Sequence, residues 1–139
     1  MGEIPPEKKT NTRKELPGLA AAFIVALGMK LFVFDFMVAE GGSMIPAVRP
    51  GSVLLISRLR YGFRLPGFQS YLVRWGMPAP GEVVVFYTPA GSIAVKRCAG
   101  LAEGEKFIAL GDNGAQSFDS RSYGPVPVDN IIGKVLGIK

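Results

Sequence analysis

Residues 82–97 read EVVVFYTPAGSIAVKR, two short apolar runs separated by the Pro- and Gly-containing turn TPAG. Short runs rich in β-branched residues and bounded by such turns are typical of β-strands. Three more runs of this kind are SVLLIS at 52–57, KFIAL at 106–110 and IIGKVLGI at 131–138. Because no convincing helix separates the five runs, we predict a mostly β protein with a small curled antiparallel sheet or barrel, not an alternating α/β sheet.

The residues before these strands divide into a polar and an apolar segment. Residues 1–16 are polar and basic, which predicts a disordered tail. Residues 17–39 (PGLAAAFIVALGMKLFVFDFMVA) are about as long as the ~20 residues that cross a bilayer. Lys30, near the middle of this segment, costs about 2.5–3.5 kcal/mol on insertion scales, and Asp35 is expected close to the far interface. We predict a transmembrane helix at 17–39, with an interfacial or buried helix as the alternative.

The charges around this helix predict its orientation. Four Lys or Arg residues precede it and Glu40 follows it, which places the N-terminus in the cytoplasm. Residues 40–139 then form one extracytoplasmic domain, since 139 residues suffice for a single modest core. The net charge of +5 comes from scattered residues, so attraction to anionic lipid is favoured over nucleic-acid binding.

The composition restricts the chemistry that the chain can perform. A single cysteine, Cys98, forms no intramolecular disulfide, and it lacks an adjacent base that would make it a nucleophile. The chain has no histidine, which excludes Ser-His-Asp and Cys-His catalysis and disfavours a zinc site. Hydrolysis must therefore use Lys, Tyr or a carboxylate as its base, and no cofactor is expected.

Ser43 and Lys96 are candidates for such chemistry, although each also has a purely structural explanation. Ser43 follows two glycines in EGGSMIPAVRPGS, a context in which serine is most often only a turn residue. Lys96 lies in the apolar run SIAVKR, where strand alternation puts it on one face with Cys98. A free lysine is neutral in only about one molecule in 2,500 at pH 7, so a lysine base needs a lowered pKa. Desolvation by apolar neighbours lowers it without adding a compensating charge.

Two further segments allow more than one interpretation. Residues 111–124 (GDNGAQSFDSRSYG) form a turn by composition, but this does not explain Ser117, Asp119 and Arg121 at two-residue spacing, and the spacing of a calcium loop is missing. Residues 65–81 are apolar and aromatic without a clear period, which favours a loop that covers one end of the core. The functional alternative is a surface resting on the membrane, with Tyr71 and Trp75 at headgroup depth.

Taken in order, these segments resemble the bacterial type I signal peptidases. The resemblance covers about 85 residues, from Ser43 to Pro127. No single motif is strong, but their combination in this order is highly specific. The matching motifs are S-M-x-P at 43–46, P-x-x-G-E-V-V-V-F at 78–86, K-R-x-x-G at 96–100, G-D-N at 111–113 and S-x-D-S-R-x-x-G at 117–124.

The resemblance implies a membrane-anchored endopeptidase of the bacterial cytoplasmic membrane that removes signal peptides from exported preproteins after Ala-x-Ala-like sites. It implies that Ser43 is the nucleophile and Lys96 the general base, that Ser117 orients the lysine, and that Asp119 and Arg121 brace the site. The backbone N–H of Ser43 would hold the oxyanion. Substrates would bind by strand addition, and the residues implied in substrate binding are Met44, Ile93 and Val95.

The chain departs from the family pattern at three places. Gly114 stands where the family usually has arginine after G-D-N, and LAEGE at 101–105 replaces a common P-G-D. Only about ten residues separate Gly100 from Gly111, where the family normally has a longer segment. We therefore expect a minimal catalytic sheet that lacks the family's second domain.

Other functions remain open at this point. A conjugation-pilin-type processing peptidase would use the same Ser/Lys pair on a dedicated substrate. The self-cleaving SOS-response repressors also use Ser and Lys, but they are cytoplasmic and need no hydrophobic N-terminal helix. A non-catalytic membrane-anchored peptide-binding protein would keep the sheet but would not need Ser43, Lys96 and Ser117 together.

Overall fold

A computed structural model of the protein describes residues 12–139. The predicted basic tail at 1–16 thus lies largely outside the described residues. The first element, α1, spans Thr12–Gly28 and continues into a π-helical turn at Met29–Val33. Residues Leu16–Val33 have a mean hydropathy of 2.0, and none of this segment is buried inside the protein. It is an apolar helix long enough to cross a membrane.

The helix ends six residues earlier than predicted. Residues Phe34–Val38 form strand β1, which pairs antiparallel with β2 (Val53–Ser57). An apolar run rich in Phe and Val fits a buried strand as well as a helix, and here pairing with β2 decides between them. As a consequence Lys30 lies in the last turn of the helical segment, not in its middle as predicted. The N-terminal boundary also differs, because Thr12 to Leu16 of the predicted tail are helical.

Seven more strands follow β1 and β2: β3 (Gly62–Phe63), β4 (Val73–Arg74), β5 (Val83–Tyr87), β6 (Ile93–Ala102), β7 (Lys106–Leu110), β8 (Val126–Pro127) and β9 (Ile131–Ile138). The domain is built on one curled antiparallel sheet of seven strands in the order β1-β2-β9-β5-β6-β7-β8. A separate two-stranded ribbon pairs β3 with β4, and a short helix α2 spans Ser120–Tyr123. The five predicted strands are confirmed, although one of them, β6, continues to Ala102.

Strand alternation divides the core into two clusters. Val84 and Phe86 of β5 pack in one cluster with Tyr61 and Phe107, and the rings of Phe86 and Phe107 meet edge to face at 5.3 Å. Val85, between them in sequence, belongs to the other cluster. That second cluster also contains Ala39, Met44, Val48, Leu54, Ile56, Ile132 and Val135. The second core therefore lies directly beneath the turn that carries Ser43.

The segment at 65–81 has both partly buried and exposed aromatic residues. Tyr71 packs against the first core cluster, and its hydroxyl donates a hydrogen bond of 2.8 Å to the carbonyl of Ile131. Trp75 is 58% exposed and donates from Nε1 to the carbonyl of Leu59 at 3.1 Å. The structure therefore supports a covering loop around Tyr71, while Trp75 remains available to a membrane surface.

Candidate active site

Ser43 lies in a tight turn between β1 and β2. Gly41 has a φ of +75°, a conformation that glycine adopts without strain, and it turns the chain two residues before Ser43. Met44 is only 3% exposed and anchors the turn in the second core cluster. Met44 was predicted to bind substrate, and the structure places its side chain in the core directly after the serine.

The Lys96 side chain extends from β6 to this serine. Its Nζ donates to Oγ of Ser43 at 2.6 Å, and the lysine is only 5% exposed. Burial lowers the pKa of Lys96 because it disfavours the charged ammonium, while the negative charge of Asp119 acts in the opposite direction. The net pKa lies below the usual value of 10.5. The structure thus brings together the two residues that the sequence singled out for hydrolysis, with the lysine shifted toward its basic, uncharged form.

Asp119 lies behind this pair and is fully buried. Its carboxylate accepts from Ser117 Oγ at 2.6 Å, from the Gly111 N–H at 2.8 Å, and from Arg121 through Nε, Nη2 and the backbone N–H. The Arg121 guanidinium lowers the pKa of Asp119 most strongly, and this outweighs the effect of burial, which raises it. Asp119 is therefore held as a carboxylate.

Ser117 differs from its predicted partner. The resemblance implied that it orients the lysine, whereas in the structure its hydroxyl donates to Asp119. Ser117 nevertheless lies close to the site, because a Cβ built on Gly111 would fall 2.0 Å from Ser117 Oγ and 2.7 Å from the Ser43 carbonyl oxygen. Only glycine fits at position 111, where the two serine-bearing segments converge.

Sequence reasoning assigned no role to Asn113, which holds the Ser43 turn in place. Its backbone N–H donates to the Ser43 carbonyl at 2.9 Å, and its Nδ2 donates to the Gly42 carbonyl at 3.1 Å. The preceding residue, Asp112, receives two bonds from Arg97, at 2.9 and 2.7 Å. Because Arg97 follows Lys96 on β6, this pair ties the lysine strand to the loop that clamps the serine. The adjacent K-R and G-D-N motifs were the available signal.

Gly114 has a structural consequence that the sequence did not disclose. A Cβ at this position would lie 2.8 Å from an Arg121 guanidinium nitrogen, so the guanidinium occupies the space beside the glycine. Arg121 thus packs over the glycine that stands in place of the family's usual arginine, while it also binds Asp119.

A groove of about 250 Å³ extends along β6. The Cys98 N–H donates a hydrogen bond to the Glu82 carbonyl of the neighbouring strand. Hydrogen-bonded pairs recur at every second residue, so Lys96 and Ala94 also direct their backbone groups toward Val84 and Phe86 of β5. The backbone groups of Ile93 and Val95 therefore point away from β5. Pairing of β6 with β7 begins only at Arg97, so within the described residues this edge has no partner strand.

The opposite wall of the groove is the end of β1. The residues lining the groove are Met37, Val38, Ala39, Glu40, Ile93 and Val95. Ile93 is 49% exposed, and Val95 packs partly against the second core cluster. The two sequence-predicted binding residues of β6 therefore lie on an open edge that leads to Lys96.

Cys98 is placed differently. Its side chain is fully buried in the first core cluster, and burial raises the pKa of its thiol. A buried thiol with a raised pKa is a poor nucleophile. The structure therefore gives no support to cysteine chemistry.

Comparison with known proteins identifies the family of this chain. The family profile described as signal peptidase, peptidase S26, matches residues 13–106 and 101–138. Signal peptidase I of Haemophilus influenzae is 30% identical over 118 residues, covering 85% of this chain and 31% of that protein. Signal peptidase I of Buchnera aphidicola is 27% identical over 96 residues, covering 68% of this chain and 31% of that protein.

A smaller relative aligns over most of its length. Signal peptidase I of Bacillus caldolyticus is 25% identical over 169 residues, covering 93% of this chain and 91% of that protein. The chain thus spans about a third of the Haemophilus and Buchnera proteins and nearly all of the Bacillus protein. With the family profile matching most of its residues, the chain belongs to the signal peptidase family, peptidase S26.

Proposed function

We propose that this protein is a membrane-anchored serine endopeptidase that cleaves signal peptides from exported preproteins, with Ser43 as nucleophile and Lys96 as general base. The observation that carries the proposal is the 2.6 Å contact between Lys96 Nζ and Ser43 Oγ, made by a lysine that is 5% exposed. Without histidine in the chain, a desolvated lysine is the base that this site offers to its serine.

The reaction begins when the uncharged Lys96 amine accepts the Ser43 hydroxyl proton. Ser43 Oγ then attacks the scissile carbonyl carbon, and the oxyanion is stabilised by the Ser43 backbone N–H. Lys96 returns the proton to the departing amine as the C–N bond breaks and the acyl-serine forms. A water molecule, deprotonated by the same lysine, hydrolyses the ester and restores Ser43.

Asp119 and its partners Ser117, Gly111 and Arg121 position the catalytic residues and do not transfer protons. Asp119 accepts hydrogen bonds from the Ser117 hydroxyl and the Gly111 N–H, and Gly111 in turn lies close to the Ser43 carbonyl oxygen. Arg121 compensates the carboxylate charge that would otherwise favour protonated Lys96. We expect Ser117 to contact the lysine amine once Ser43 has been acylated and no longer binds it.

Substrate binding follows from the open edge of β6. An extended peptide in the groove would add a strand, bonding to the backbone groups of Ile93 and Val95. At about 250 Å³ the groove is small, which favours small substrate side chains next to the dyad and hence Ala-x-Ala-like sites. Met44, buried in the core next to Ser43, would support the nucleophile's turn from beneath.

The apolar helix supports a single-pass anchor in the bacterial cytoplasmic membrane. Its basic N-terminal flank favours a cytoplasmic N-terminus, which leaves the sheet and the Ser43–Lys96 pair on the outer side. Signal peptides would then reach the groove from the bilayer in which the enzyme is anchored.

The test is processing of a precursor with an Ala-x-Ala site by the detergent-solubilised full chain. We expect cleavage by the parent and none by Ser43→Ala or Lys96→Ala. Lys106→Ala is the matched control, because Lys106 is an exposed lysine on β7, and it should cleave like the parent. Equal cleavage by all four proteins would refute the assigned pair, and a panel of precursors would separate a general from a dedicated peptidase.

A further inference from the structure

A second, largely apolar cavity lies away from the Ser43–Lys96 pair, where the helix meets the sheet. It measures about 350 Å³ and opens between the helix end and strands β1 and β2. The lining residues are Ala26, Met29, Lys30, Phe34, Phe36 and Leu55. Five of these six are apolar, so the crevice offers hydrocarbon contact and a single charge.

That charge is positioned to meet an anion. Lys30 is exposed, and it makes no salt bridge with any residue of 16–139, the part of the chain whose side chains are described. The nearest acidic residue in sequence, Asp35, is already paired with Arg58 at 3.1 Å. Lys30 also lies in the π-helical turn Met29–Val33, where the helix ends and β1 begins.

The position of this turn fits the edge of a bilayer. If Leu16–Val33 crosses the membrane, Lys30 lies three residues from the outer end of the span, where a long cationic side chain reaches the phosphate level. Phe36 of the crevice wall is 63% exposed and continues the apolar surface beyond the helix. A phospholipid could therefore contact the apolar wall with an acyl chain and Lys30 with its phosphate, whereas a free phosphate ion could contact only Lys30.

We propose that this crevice binds one anionic phospholipid, with an acyl chain against Ala26, Met29 and Phe34 and the headgroup phosphate paired with Lys30 at the outer interface. The site lies outside the peptide groove and involves neither Ser43 nor Lys96. It rests on the proposed membrane anchoring and is independent of the proposed proteolytic chemistry.

The test is lipid retention by the detergent-purified full chain, measured by native mass spectrometry with phosphatidylglycerol and phosphatidylcholine of identical acyl chains. The parent should retain phosphatidylglycerol about fivefold better, the selectivity expected from one interfacial lysine. Lys30→Gln should retain both lipids equally, whereas Lys106→Gln, an exposed lysine on β7, should behave like the parent. Ala26→Phe, which narrows the crevice from the helix side, should reduce retention of both lipids.

Two results would overturn the site. Equal retention of both lipids by the parent, or selectivity that persists in Lys30→Gln, would show that Lys30 holds no headgroup. Flotation with phosphatidylcholine vesicles separates this failure from a failure of anchoring. A parent that does not float would refute both the anchor and the lipid site, while a parent that floats without lipid preference would refute the site alone. Precursor cleavage depends on Ser43 and Lys96, so its failure would test neither the membrane anchor nor the lipid site.

Discussion

Lys96 and Asp119 are both buried ionisable residues of one site, but their surroundings differ sharply. Lys96 makes one side-chain hydrogen bond, to Ser43, and burial lowers its pKa. Asp119 accepts five hydrogen bonds, two of them from the Arg121 guanidinium, and its pKa is lowered because these partners stabilise the charge. One residue is pushed toward its neutral form, and the other is held in its charged form.

In the proposed mechanism, this contrast separates a reactive group from a supporting one. A base must be free of strong partners to take up a proton, so desolvation without compensation suits Lys96. A residue that orients loops must keep one geometry, which many hydrogen bonds enforce on Asp119. Substitutions at the two positions should therefore affect different properties, activity at one and stability at the other.

The largest effect is expected for Lys96→Met, which replaces the amine by an apolar side chain of similar size. Cleavage should fall by roughly 10⁴-fold, at the upper end for loss of a general base. The unfolded lysine keeps its proton up to about pH 10.5, whereas the folded one loses it at lower pH. Lys96 therefore destabilises the fold at neutral pH, and this penalty shrinks as the pH rises.

The melting temperature of Lys96→Met at pH 7 should accordingly equal or exceed that of the parent. Differential scanning calorimetry beside the precursor assay measures both quantities on the same preparation. A large drop in melting temperature would contradict the assignment of Lys96 as a group held under strain for function. In the parent, kcat/KM should rise with pH through the lowered pKa of Lys96.

Asp119→Ala should show the opposite pattern. Removing the carboxylate leaves the Ser117 hydroxyl and the Gly111 N–H without their acceptor, which should cost about 3 kcal/mol of stability. Asp119→Asn is the matched control, because it keeps one acceptor oxygen and should lose less. Urea unfolding measures the difference. Equal stability of the parent and Asp119→Ala would show that the cluster does not brace the site.

The sequence predicted those features of the fold and the site that depend on residue type and pattern. The five strands, the mostly β fold and an apolar N-terminal helix are confirmed, because alternation and composition report burial directly. Ser43 and Lys96 could be paired because the absence of histidine left few bases. Their contact itself required the fold, since 53 positions separate them along the chain.

The remaining errors have physical causes. The predicted helix at 17–39 was too long because Phe34–Val38, apart from Asp35, is apolar like the helix before it, and only pairing with β2 distinguishes the two. The Ser117–Asp119 bond and the Asn113 clamp depend on how two loops converge at Gly111. Local sequence contains no measure of that convergence, so the partners of these polar residues could not be predicted.

Glu82 tests whether a carboxylate with many partners stabilises the fold away from the site. Burial would raise its pKa, but bonds from Lys134, Tyr61 and the Ala79 N–H together lower it to about 2. Its contribution is present above the ordinary value of 4.5 and is lost as the pH falls toward 2. Glu82→Gln should cost about 1–2 kcal/mol at pH 7 after allowance for solvent screening.

The same variant should also flatten the acid dependence of stability. Urea unfolding of parent and Glu82→Gln at pH 7, 4.5 and 3 would show the two curves converging as the pH falls. Precursor cleavage by Glu82→Gln at pH 7 should stay near the parent's level, because Glu82 contacts neither Ser43 nor Lys96. A constant difference across this pH range would contradict the role of the ionised carboxylate.

The smallest effect is expected where the two environments meet, at Arg121. The charge of Asp119 raises the pKa of Lys96 against the effect of burial, and the Arg121 guanidinium offsets part of that charge. Arg121→Gln should therefore raise the Lys96 pKa and move the acid limb of kcat/KM to higher pH by roughly a few tenths of a unit. A variant that only loosened the fold would lower cleavage at every pH without moving the limb. Arg121→Lys keeps the positive charge but not the bidentate hydrogen bond to Asp119, and it should retain most of the parent's pH profile. If the acid limb of the profile shifts equally in both variants, the geometry of this bond, and not the charge, sets the basicity of Lys96.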